Sequence, residues 1–170
     1  MGYCTQTLNG LQLNCENSFG GIKNIYLANF GDVLAITEDE YITEIQMKSG
    51  AKFKKYECVK NTSSLVSNLT VNEASRSNYV TSELNLVFVL QNVVKRLEME
   101  RLKKGHFVAI VEDANSNYWL VGYDNYLHAT GGSANSGVNF ADSNNYSLTM
   151  TSENKTFPKM VAQALIGDLV

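Results

Sequence analysis

At 170 residues the chain suits one domain, long enough to bury roughly 70% of its unfolded surface without a metal or disulfide staple. Its net charge of −3 leaves no basic excess for gripping a phosphate backbone, which argues against nucleic acid as a primary ligand. One proline, nine tyrosines and only 18% charged residues fit a strand-rich globular chain.

The stretch Met1 to Gln6 has neither the charged region nor the apolar core of a secretory signal. Gln6 stands where a myristoylation motif starting at Gly2 wants serine or threonine. No apolar run approaches the roughly 20 residues that cross a bilayer, so no membrane partner is expected. The Asn-X-Ser/Thr triplets at Asn61, Asn68, Asn145 and Asn154 are read as chance in an Asn- and Thr-rich chain.

Residues 1–21 read as an irregular lead-in ending in the Gly20-Gly21 turn signal. Ile22 to Asn29 reads as a strand, continued past Gly31 by Asp32 to Ile36. Glu40 to Met47 alternates as another, and Lys52 to Lys60 reads as an exposed or edge strand whose lysines discourage stray pairing. Leu65, Leu69 and Val71 mark the next strand, and Tyr79 to Phe88 leads into a helix over 90–104. There Leu90, Val93, Val94 and Leu97 form one apolar stripe, expected to cover a sheet face or close a barrel end. Gly105 is expected to take a left-handed cap, and Arg96–Glu100 and Glu100–Lys104 to form pairs worth roughly 0.2–0.5 kcal/mol each.

Phe107 to Glu112 and Tyr118 to Gly122 flank a polar turn and read as a hairpin, followed by a strand over Tyr126 to Thr130. Gly131 to Gly137 reads as a mobile loop that orders on assembly, and Tyr146 to Thr151 as the last strand. Residues 157–170, with Val161, Leu165 and Leu169 four apart, read as a short amphipathic helix or docking arm. The expected fold is mainly β: a single-domain sandwich or barrel, with a core over 22–152, one inserted amphipathic helix and a C-terminal arm over 153–170.

No chemistry-bearing motif emerges. Cys4, Cys15, Cys58, His106 and His128 would allow a thiol with a histidine base, but no motif flanks the cysteines, and Cys58 is expected to pack as a small hydrophobe. Cys4 and Cys15 match no zinc spacing and are expected to be free thiols. Asp113, Asn115 and Asn117 match part of a calcium-loop pattern, yet Tyr118 replaces its glycine and Asp124 its bidentate glutamate, so a hairpin turn is expected. The glycines of 131–137 lack the Lys-Ser/Thr of a phosphate cradle, and Trp119 is read as a core or interface residue. The sequence therefore assigns no catalytic residue, no cofactor and no metal ligand.

A resemblance runs through most of the chain in order. It starts with Cys4, Leu13-Asn14-Cys15 and the run Gly20 to Phe30. It continues through Phe53 to Glu57, Glu83 to Phe88, the helix, Val111 to Gly122, and Asn145 to Thr151. These segments resemble tail-tube-type structural proteins of tailed phages infecting gut bacteria, the crAss-like and related phages. Asn14 departs from an aspartate often found before the second cysteine, and the apolar segment beyond Ser152 suggests a specialised ring subunit.

The resemblance implies a non-enzymatic virion protein of the tail, made in the bacterial host cytoplasm. Such a subunit self-associates into rings, usually hexameric, and contacts other tail or connector proteins. DNA passes through its lumen without specific binding, which a net-negative wall suits. A head-tail connector, tail terminator or capsid-decorating protein is the alternative reading. A small enzyme or carbohydrate-binding module would instead need a pocket with convergent polar groups, for which the sequence shows no constellation.

Overall fold

The computed structural model describes residues 5–13 and 15–170. A lead-in without regular structure among its described residues brings the chain to β1 (Ile22–Asn29), and a 3-10 turn at Phe30–Asp32 passes it to a hairpin of β2 (Val33–Glu38) and β3 (Ile42–Met47). Short β4 (Lys54–Glu57) precedes a long hairpin of β5 (Ser64–Asn72) and β6 (Ser77–Val89), then helix α1 (Val93–Leu102). β7 (His106–Asp113) and β8 (Tyr118–Val121) form the expected hairpin, and β9 (Leu127–Asn135), β10 (Asn145–Asn154) and β11 (Lys159–Val161) follow. A 3-10 turn at Gln163–Leu165 leads into one-turn helix α2 (Ile166–Leu169).

The chain is mainly β, as expected, but the described strands join one mixed sheet that does not close into a barrel. The reason lies at β7. One of its edges pairs with β1 from Phe107 to Asp113, while the other is shared. Ala109 to Glu112 pair with β8, and His106 and Phe107 pair with β9. The sheet thus branches, into β8–β11–β3–β2 on one side and β9–β10–β6–β5 on the other, and its outermost strands never meet. β4 pairs only with β1, which makes it the edge strand its lysines announced.

The β1–β7 ladder is the centre of the molecule. Successive strand residues point to opposite faces, so a nearly continuous apolar run signals burial on both. Ile25, Leu27 and Val111 join Leu84, Leu86 and Met150 in one apolar cluster. Tyr26, Val108 and Ile110 join Ile42, Phe53 and Leu120 in the other. Full burial of each such aliphatic side chain stabilises the fold by about 1.5–3 kcal/mol.

Several expectations need correction. Residues 131–135 are strand, not loop: they pair with β10 from Gly131 opposite Thr149 to Asn135 opposite Asn145. Their small size serves a close approach, since a Cβ on Gly132 would sit 2.7 Å from the Ser147 carbonyl oxygen. Residues 157–170 do not reach outwards. β11 lies between β8 and β3, antiparallel to one and parallel to the other, and the Phe53 N–H donates to the Leu169 carbonyl at 2.8 Å. The expected short helix exists as α2, docked on its own body with Leu169 buried.

Helix α1 is shorter than expected because Leu90 takes a positive φ of 70° and Asn92 is the N-cap, its side chain accepting from the Lys95 N–H at 2.8 Å. Gly105 has no left-handed φ. It is needed because an added Cβ would lie 2.0 Å from the Phe107 ring. The helix's ion pairs fall at three-residue spacing, Arg101 with Glu98 at 2.9 Å and Lys103 with Glu100 at 2.5 Å.

The largest correction concerns the stripe. Leu90, Val93, Val94 and Leu97 face solvent, with Val94 75% exposed. The body instead holds Leu102 and, partly, Met99.

Candidate functional site

The residues singled out for chemistry are dispersed. Cys4 lies outside the described residues, and Cys15 is an exposed free thiol. Cys58 sits just past β4, where it packs against the cluster that contains Ile25. Burial pushes its thiol up, and a hydrogen bond with Ser63 offsets only part of that, so it is held as the unreactive thiol.

His106 and His128 are cross-strand partners at the β7–β9 junction. His106 stacks on Tyr126 with centroids 3.9 Å apart, and Tyr126 meets His128 edge-on at 5.7 Å. Phe30 adds a further edge contact to Tyr126 at 6.0 Å. The rings occupy one another's faces, an arrangement that ties the start of β9 to the end of β1. No group of three or more His, Cys, Asp or Glu among the described residues is placed to hold a metal ion.

Asp113 organises the β7–β8 turn. It accepts from the backbone N–H groups of Asn115 and Asn117 at 2.8 and 2.9 Å, and from the Trp119 indole at 3.0 Å. Burial alone would raise its carboxyl, but these donors outweigh it and hold the group below the ordinary carboxylate range. The partial calcium-loop pattern is therefore a turn whose acceptors are used locally, and Trp119 is an anchored wall residue.

Asn115, at the tip of that turn, grips the lead-in. Its side chain accepts from the Phe19 N–H and donates to the Phe19 carbonyl, both at 2.9 Å. Phe19, Ile22, Leu65, Val111, Trp119 and Phe157 then line a cleft of about 530 Å³ between the β5 edge and the β8 side of the sheet. Its walls are apolar, and Asp113, its one carboxylate, is already committed to the turn. Such a slot can take an apolar side chain or a strand edge; it lacks convergent polar groups for a reaction.

The exposed apolar surface is the more extensive feature. Beyond the α1 stripe it includes Val66, Leu69 and Val71 on the free edge strand β5, and Val138 and Phe140 in the loop before β10. Leu8, Leu11 and Leu13 of the lead-in are fully exposed as well. Monomers seldom leave such side chains in solvent on ordered elements.

Helix α1 is nevertheless held firmly by its polar side. The Tyr56 hydroxyl of β4 donates to Glu98 at 2.6 Å, and Arg101 braces the same carboxylate. Burial, then the Glu98 hydrogen bond, raises the Tyr56 hydroxyl well above its ordinary range. The Tyr56 hydrogen bond is the main cause holding Glu98 below its own.

Sequence reasoning found this stripe but placed it inwards. It missed the Asn115 grip on Phe19 and the Tyr56–Glu98 tether, both of which join residues far apart in the chain and leave no local pattern. No helix among the described residues is long and apolar enough to cross a membrane. No protein-family model, curated protein or solved structure matches the chain.

Proposed function

We propose that the chain is a structural subunit of a tailed-phage virion, part of the tail tube or of a tail ring, that works by associating with copies of itself and with neighbouring tail proteins around a DNA conduit. The observation that carries this reading is the exposed apolar surface: the outward stripe of α1 and the free edge of β5, both on ordered elements, and the lead-in leucines. These are groups that a closed assembly buries. The ordered resemblance to tail-tube-type proteins supports the same reading, and the hexameric ring is what that resemblance implies. The net charge of −3 suits a wall that a polyanion passes without sticking.

The connector, terminator or decorating alternative drew on a long C-terminal arm. With β11 and α2 built into the body, that feature no longer favours it.

Single-particle mass measurement with negative-stain imaging of the purified chain across concentrations tests the proposal. Rings or tubes with a central hole are the expected result. A monomer that persists at every concentration overturns self-assembly as the function.

A further inference from the structure

The charges of this chain are segregated. From 32 to 47, the β2–β3 hairpin and its approach, there are five acidic residues and no basic one. From 93 to 104, helix α1 and its exit, there are five basic residues and two acidic ones. Part of each set is neutralised locally. Glu38 pairs with Lys159, Asp32 lies 3.9 Å from Lys48, and Glu98 and Glu100 take Arg101 and Lys103. Among the described residues this leaves Asp39 and Glu40 at the hairpin tip with Glu44 on β3, and Lys95 and Arg96 on the helix with Lys104 at its exit, without an ion pair.

Each patch also carries exposed apolar side chains. The helix presents Val93, Val94 and Leu97, and the hairpin presents Leu34 and Tyr41. An apolar centre with a charged rim is the usual anatomy of a protein interface. Both patches combine exposed apolar side chains with charge, and the charges are opposite, acidic on the hairpin and basic on the helix.

They lie on different branches of the sheet. The hairpin ends the β8–β11–β3–β2 branch, whereas α1 follows β6 and lies against β9 and β10, where Met99 and Lys103 share a cleft with Ala129 and Gly132. β7 and its neighbours stand between them, so the two patches of one chain do not meet.

We propose that the occupant of the α1 stripe is the β2–β3 hairpin of a second copy of this chain, docked head to tail. The contact is heterologous, so a docked pair keeps one free patch of each kind, the hairpin of one copy and the helix of the other. Repetition closes a ring if the rotation closes and otherwise grows a filament. This rests on the self-assembly reading above and names the surface that performs it. Like charges placed across such a contact oppose it, which makes it testable by reversal.

The test uses the full chain with two sets of surface substitutions: Asp39→Lys with Glu40→Lys, and Arg96→Glu with Lys104→Glu. Mass photometry and sedimentation velocity at low and moderate salt read the association, and circular dichroism confirms that each variant keeps the parent fold. Each double variant alone is expected to associate at least tenfold more weakly than the parent. An equimolar mixture is expected to regain assembly, because each variant then meets a partner of opposite charge at both patches.

If one pair of reversals unfolds the chain, the other pair still decides the point, as does Val94→Ser, expected to weaken association with no charge change. Assembly of the parent that neither reversal disturbs overturns this interface and leaves the ring reading standing. A parent that stays monomeric throughout overturns both.

Discussion

The β1–β7 ladder and helix α1 carry similar apolar side chains to opposite ends. In the ladder, alternation puts Ile25 and Val111 on one face and Tyr26 and Ile110 on the other, and the chain itself covers both. In the helix, Val93, Val94 and Leu97 form a stripe that the chain leaves in solvent, while Tyr56, Glu98 and Arg101 fasten the polar side to the body. Apolar periodicity therefore marks a face that will be buried without saying by which molecule.

The comparison breaks most severely if the ladder's outer cover is removed. A chain ending at Phe157 loses β11, the strand that joins the β2–β3 hairpin to β8, and uncovers Phe53. It is expected to lose its cooperative thermal transition, followed by circular dichroism. Within the ladder, Ile110→Ala removes a side chain that is 1% exposed and is expected to cost about 2–5 kcal/mol in denaturant unfolding. Gly105→Ala, which drives a methyl into the Phe107 ring at the junction of helix and ladder, is expected to cost about 1–3 kcal/mol.

Leu97→Asp is the contrasting change. At a position 45% exposed it is expected to shift monomer stability by less than about 1 kcal/mol while abolishing association. A loss of several kcal/mol in the monomer would mean that the stripe packs inwards after all.

The smallest expected effect tests the tether. Tyr56→Phe removes the hydrogen bond to Glu98 and is expected to cost about 1 kcal/mol near neutral pH. Glu98 is held below its ordinary range, so its share is present above the usual glutamate value and fades as pH falls through the lowered one. Tyr56 is raised, so its share is present below the usual tyrosine value and fades as pH rises through the raised one. The gap between parent and variant in pH-dependent melting should therefore be widest at neutral pH and narrow at both extremes.

Much of this architecture was legible because it is local. The hairpin around Asp113, the edge character of β4 and the apolar runs of β1 and β7 each follow from residues adjacent in sequence. What was not legible depends on partners elsewhere. Gly132 looked like loop until Ser147 is set against it, and Gly105 looked like a cap until the Phe107 ring lies over it. Ile42 and Ile45, three residues apart, are both buried because the β2–β3 register shifts between Thr37 and Glu38, a slip that strict alternation conceals. The direction of the α1 stripe depends on Tyr56 reaching Glu98 from 42 residues away.

The place of β11 carries a consequence for how the chain comes into being. β3 is made early, yet its neighbour across from Ile42 is Val161, more than a hundred residues later. At roughly 5–20 residues per second on the ribosome, the finished β2–β3 hairpin waits on the order of 10 s with one edge open. During that interval no β11 joins the hairpin to β8, and its acidic tip stands beside the open edge. Like charge at that place opposes the pairing of one nascent hairpin with the next.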